Sequence, residues 1–316
     1  MTGLPVQRAH ELATCPEERR WLIEELWAAE AVGIVGGEPK CCKSFLALDM
    51  AVSVASGTPC LRRFRVPQRG PVLLFAAEDA LHVVRRRLDG IAGAAGVVLS
   101  DIDIHVITAP TVRLDVDADR RRLAETVRTL RPRLLVLDPF VRLHRVDENV
   151  SAEVAPLLAY LRELQRGLGV AVVVVHHARK GAAHARAGQA LRGSSEFHAW
   201  GDSNLYLRRT GDDLSLSIEH RAAPSPPSLA VGLAVDGERV CLEVRLAAAS
   251  TDAAAESVSV LENVERVLAD ADAPVPLATL RQLCRARTKT VCDALASLRR
   301  AGRIVKLTGG YALAER

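Results

Sequence analysis

The chain has 316 residues, 49% of them apolar, 25% charged and only 3% aromatic. That balance excludes a disordered or fibrous chain and calls for a core of Ala, Val and Leu, while the longest strongly apolar run, Val170–Val175, is far short of the roughly 20 residues a membrane helix needs. The net charge of +4 lies wholly in residues 261–316, which hold ten Lys or Arg against six Asp or Glu; the first 260 residues carry 32 of each sign.

The first twenty residues are polar and mixed in charge, without the apolar core of a signal peptide. The seven cysteines are odd in number and include no CxxC pair, which suits a reducing cytosol better than a disulfide framework or a zinc site. The expectation is a cytoplasmic protein with no membrane contact.

Taken in chain order, the hydrophobic period switches repeatedly between residues 31 and 176. Ala31–Val35 reads as a strand, followed by a glycine loop and a helix over Lys43–Ser56. Pro71–Ala77, Ile102–Ile107, Leu134–Leu137 and Val170–Val175 read as four more strands. The helices between them are expected over Leu81–Gly90, Ala118–Leu130 and Ala152–Leu168. Strands apolar throughout are buried on both faces, so they form a parallel sheet with helices on each side. Four further strands, Asn204–Leu207, Leu214–Ile218, Leu229–Val235 and Val240–Val244, are expected to extend that sheet antiparallel. Ala222–Ser228, with three prolines, is a loop, and Ala247–Ala255 marks a linker between a domain over 1–246 and another over 258–316.

Ligands of such sheets bind at the carboxyl ends of the strands. Just past the first strand stands Gly37-Glu38-Pro39-Lys40-Cys41-Cys42-Lys43-Ser44, followed by Phe45. It follows the phosphate-loop pattern GxxxxGK[ST], with Cys42 in place of the second glycine. The backbone of Gly37 to Phe45, with an N–H group at every position but Pro39, would curl round the phosphates of ATP at a helix N-terminus. Lys43 would reach the β/γ oxygens, and the Ser44 hydroxyl would reach Mg²⁺. The second strand ends in Glu78-Asp79; Glu78 is assigned as the base that activates water and Asp79 as the cap of the next helix. Asp138, after four apolar residues, suits an aspartate that holds the Mg²⁺ shell. The fifth strand ends in His176-His177, and either imidazole is placed to sense the γ-phosphate. A Gly/Ala-rich stretch, Gly181–Ala190, leads on to Arg192-Gly193-Ser194-Ser195.

The order phosphate loop, Ala76-Ala77-Glu78-Asp79, LLVLD ending at Asp138, HHARKGAA from His176 and RGSS from Arg192 resembles RecA-like ATPases of the RepA type, hexameric replicative helicases with many AAA-labelled relatives. The likeness spans about Ala31 to Arg209. It implies an α/β fold of the RecA-like P-loop NTPase kind, a mostly parallel sheet flanked by helices. It also implies His177 as the γ-phosphate sensor, and a homo-oligomer, a hexameric ring, in which each ATP site is completed by an arginine from the next subunit. That family's finger position falls here on Asp202. Arg192, Arg208 and Arg209 are the alternatives, and the sequence does not choose among them.

Residues 258–316 read as three helices and a hairpin, with apolar stripes Val260, Val264, Val267, Leu268 and Val291, Leu295, Leu298. The pattern resembles a small winged helix-turn-helix domain. A recognition helix starting at Thr288 would enter a major groove, and Arg287, Lys289, Arg299, Arg300, Arg303 and Lys306 would contact DNA phosphates. The leading expectation is therefore an oligomeric, DNA-associated ATPase acting in replication, recombination or a mobile element. Two other classes stay open: an ATP-gated DNA-binding regulator with little turnover, and a kinase-like relative acting on protein.

Overall fold

The computed structural model describes residues 6–12, 20–177, 196–237, 239–245, 262–271, 273–284, 288–307 and 309–314. The chain divides into two compact units, 1–245 and 246–316. The predicted linker Ala247–Ala255, the stretch Gly181–Ala190, and Arg192 and Arg287 lie outside the described residues.

The first unit is built on a nine-stranded sheet. Its strands are β3 (Val32–Gly37), β4 (Val72–Ala76), β5 (Ile104–Val106), β6 (Leu134–Asp138), β7 (Ala171–His177), β8 (Ser203–Thr210), β9 (Asp213–His220), β10 (Leu229–Asp236) and β11 (Arg239–Val244). The spatial order is β11-β10-β9-β8-β3-β7-β6-β4-β5. Helices α1 (Lys43–Ser56), α2 (Leu81–Ala94), α3 (Asp117–Leu130) and α4 (Ser151–Leu168) connect the parallel strands, and a short α5 (Glu196–Trp200) precedes β8. This is the predicted α/β architecture, with a core on each face of the sheet.

On one face, α1 and α2 pack with Val35, Val136, Val173 and Leu205. On the other, α3, α4 and α5 pack with Ile34, Leu135, Val172 and Phe140. The strand residues alternate between these two clusters, the period-2 geometry of a strand buried on both sides. Helix α1 is buried along most of its length, from Leu46 to Ala55. Its Asp49 is fully buried and accepts from the Leu61 amide at 2.6 Å and from the Arg62 guanidinium. It thereby fastens the loop after α1 to the core.

Three features differ from the sequence expectation. Strand β8 runs parallel to β3, not antiparallel; only β9, β10 and β11 form an antiparallel extension. The reason is connectivity: α5 leads directly into β8 at the end of the sheet where β3 begins, whereas β8–β9 and β10–β11 are joined by turns of about two residues and β9–β10 by the loop 221–228. A small hairpin, β1 (Trp21–Ile23) and β2 (Trp27–Ala28), was not anticipated. It seats Trp27, fully buried, in the core, with its indole N–H donating to the Ala31 carbonyl at 3.3 Å. And Asp79 does not cap α2, whose N-cap is Ala80 without a side-chain capping bond.

In the second unit, helix α6 (262–269), α7 (Leu277–Leu283) and α8 (Thr288–Arg300) precede a hairpin of β12 (Ile304–Leu307) and β13 (Gly310–Leu313). Val264, Leu268, Leu280, Val291, Leu295, Leu298 and Ile304 form its core. These include members of both stripes read from the sequence. Val275 adds a bridge to Tyr311.

Candidate nucleotide site

The loop from Gly37 to Ser44 joins the carboxyl end of β3 to the amino end of α1. Two backbone requirements shape it. Gly37 has φ +154°, and a Cβ there would lie 2.3 Å from the Leu207 carbonyl oxygen and 2.6 Å from the Cys41 sulfur, so only glycine fits against β8. Lys40 and Cys42 both adopt left-handed conformations, φ +65° and +64°, which turn the backbone back on itself into the N-terminus of α1. Cys42 thus keeps the glycine-type conformation that the motif requires and carries a side chain there, at a strain cost of about 1 kcal/mol.

Lys43 is only 5% exposed. Its ammonium donates to the Glu38 carbonyl at 2.8 Å and lies 3.9 Å from the Cys41 sulfur, whose thiol donates to the same carbonyl at 2.8 Å. Burial lowers the Lys43 pKa, opposed by Cys41, Asp138 and Glu78, and raises that of the Cys41 thiol. Pro39 and Lys40 form the loop's exposed tip. Phe45 is half buried, with the Arg87 guanidinium 5.3 Å over its ring.

Sheet order brings the other predicted residues to this loop. Asp138 ends β6 and is hydrogen-bonded to the Ser44 hydroxyl; burial pushes its pKa up to about 6, with Asp79 and Glu78 adding to the rise. On β7, the register pairs Gly37 with His177, so that residue stands beside the loop. His176 points to the opposite face, where it stacks on Phe197 with centroids 4.2 Å apart and lies 3.8 Å from the Glu148 carboxylate. His144 meets the same carboxylate at 3.4 Å. His176 is therefore buried in the helical layer, and His177 is the member of the pair on the loop's side.

On β4, Glu78 lies just past the strand and pairs with Arg142 at 3.0 Å. Asp79 pairs with Arg87 of α2, the role it takes in place of the expected cap. Sequence reasoning missed Arg142. No spacing rule links positions 78 and 142, but the register pairing Ala76 with Asp138 puts the segments after β4 and β6 side by side.

The arginine alternatives separate. Arg208 and Arg209 are exposed at the carboxyl end of β8, and an Arg209 nitrogen lies 3.8 Å from the Cys42 sulfur. Asp202 stands at the other end of the sheet. It exchanges contacts with Val32 at the start of β3 and binds Arg162 and Arg221. The length of β3, roughly 17 Å, separates it from the loop. In the second unit, Arg303 pairs with Glu265 at 2.6 Å, while Arg299 and Lys306 are exposed. Lys289 and Arg300 belong to α8, but their side chains are outside the described residues.

The oxygen donors Ser44 and Asp138, side by side at a strand end, fit a hard divalent cation such as Mg²⁺. Among the described residues no cluster of three or more His, Cys, Asp or Glu suits a metal ion, and no helix is long and apolar enough to cross a membrane. The six described cysteines are free.

A family profile described as an AAA domain matches residues 3–183. Among solved structures, one ATPase domain is similar over 68% of this chain and 86% of its own length, with 13% identity and a TM-score of 0.52. A DnaB-like replicative helicase, solved to show its interactions with primase, is similar over 67% of this chain, with 12% identity and a TM-score of 0.51. The matched region spans 57% of that helicase. At these identities the likenesses carry the fold alone: a mostly parallel sheet flanked by helices.

Proposed function

The chain belongs to the AAA domain family, and from that premise we propose that it is an ATP-hydrolysing, DNA-associated ATPase that works as a homo-oligomer. The observation that carries the reading is the convergence of Lys43, Ser44, Glu78, Asp138 and His177 from four neighbouring strand ends onto one loop. In this reading the loop amides and Lys43 hold the triphosphate. Ser44 and Asp138 hold Mg²⁺, which neutralises charge on the β/γ oxygens. Glu78 takes the proton of the attacking water, and His177 contacts the γ-phosphate from the strand beside the loop. A neighbouring subunit supplies a further cation, for which Arg208 is suited by its exposure. The resemblance to hexameric replicative helicases supports a ring.

The second unit is proposed as a winged helix-turn-helix that binds duplex DNA through Lys289, Arg299, Arg300, Lys306 and Arg287. The concentration of net positive charge in this segment supports the reading. Arg303, already paired with Glu265, contributes less. The test is the ATPase rate alone and with single- or double-stranded DNA, at two salt concentrations. Stimulation that fades steeply with salt is expected; a rate indifferent to DNA removes the DNA-associated part.

A second reading, an ATP-gated regulator with slow turnover, draws on two observations: the side chain at Cys42 and the Glu78–Arg142 pair that occupies the base. Cys42→Gly and Arg142→Ala separate the readings. A large gain in turnover favours the gated protein, and no gain favours a working ATPase that tolerates both features.

A further inference from the structure

Register and side-chain alternation along β8 distinguish its two terminal arginines. Parallel pairing sets Val35 opposite Leu205, Gly36 opposite Tyr206 and Gly37 opposite Leu207. Leu205 and Leu207 belong to the cluster on the α1 face and Tyr206 to the cluster on the other face. Continuing the alternation two residues on, Arg209 projects on the α1 face just past Gly37, and Arg208 on the opposite face. The close fit of Gly37 against the Leu207 carbonyl leaves little slack between β8 and the loop. Arg209 thus reaches its own chain's loop, 3.8 Å from the sulfur of Cys42, the residue that caps α1.

We propose that Arg209 is a phosphate-binding residue acting in cis: its guanidinium contacts the nucleotide held by its own chain's loop, on the side opposite His177. This rests on the ATP-site reading above and takes Arg209 out of the three arginines that the sequence offers for a neighbour's site. Three observations support it. The guanidinium is exposed and is held by no carboxylate among the described residues, its hydrogen-bond contact being the Cys42 sulfur. It stands at a helix N-terminus, where the amides already favour an anion. And β7 and β8 flank β3, so His177 and Arg209 border the phosphate cradle from its two sides.

The experiment measures ADP and ATP affinity, by titration of the full chain with a fluorescent nucleotide, for wild type, Arg209→Ala, Cys42→Gly and the double variant. Wild type failing to bind nucleotide would sink the ATP-site reading itself. If wild type binds, Arg209→Ala is expected to weaken binding about tenfold, the worth of one charge-assisted hydrogen bond, and to do so equally in the Cys42→Gly background. An unchanged affinity overturns the proposal. So does an effect that vanishes once Cys42 is glycine, since Arg209 would then act only by holding the loop. As a second readout, Lys43→Ala and Arg209→Ala proteins are mixed and assayed for hydrolysis. A cis residue gives no recovery on mixing, because no site then has both groups; recovered activity assigns Arg209 to the neighbour's site and refutes the proposal.

Discussion

The Lys43 ammonium donates to the carbonyl oxygen of Glu38, five residues earlier in the same loop, at 2.8 Å. The lysine that would hold phosphate thus closes its own loop, and its charge is kept from bulk water. Lys43→Ala is expected to weaken ATP binding about a hundredfold, from the loss of more than one charge-assisted contact. Equilibrium titration checks this, and affinity within a factor of two of wild type would refute the cradle.

Glu78 is held by Arg142 and stands clear of the loop's own hydrogen bonds. Glu78→Gln keeps the shape and removes the base, so turnover is expected to fall about 10²–10³-fold while ATP affinity is kept. Single-turnover hydrolysis alongside a binding titration separates the two effects.

Asp138 is a carboxylate that burial pushes up to about 6. Its folded value exceeds its unfolded one, so the folded chain holds this proton more tightly. The ionised group therefore costs stability above about pH 6, and the cost is relieved as pH falls toward about 4. Asp138→Asn is expected to stabilise the metal-free, nucleotide-free protein by about 1–3 kcal/mol at pH 8, with the gain shrinking at pH 5. The same change should abolish Mg²⁺-dependent hydrolysis. Thermal melts in chelator at the two pH values test the sign.

Asp202 joins the starts of β3 and β8 to Arg162 and Arg221. Asp202→Ala leaves those cations without their carboxylate and should cost about 2 kcal/mol, a fall of roughly 4–8 °C in the melting temperature of a unit this size. Asp202→Arg, which restores the arginine of the resembling helicases, should destabilise more and yield no rise in ATPase rate. A gain in turnover from that variant would overturn the structural role.

Much of the candidate site was legible in the sequence because its signals are local. The loop Gly37–Ser44 is a continuous string that matches a phosphate-loop pattern position by position except at Cys42, and α1 begins at Lys43 as the pattern required. Asp138 and Glu78 could be picked out because each follows an apolar strand, and strand ends are where such sheets bind ligands. The two-sided burial of Leu134–Leu137 and Val170–Val175 likewise announced a sheet covered on both faces.

What the sequence left undecided is set by strand order and register, which are long-range pairings that leave no local trace. The parallel pairing of β8 with β3 brings Arg209 to Cys42, 167 residues away, and carries Asp202 to the far end of the sheet. The adjacency of β4 and β6 joins Glu78 to Arg142 in the same way. Periodicity marks the strands of the main sheet and the loop motif marks where a phosphate would sit; only the folded sheet decides which charged side chains stand around that loop.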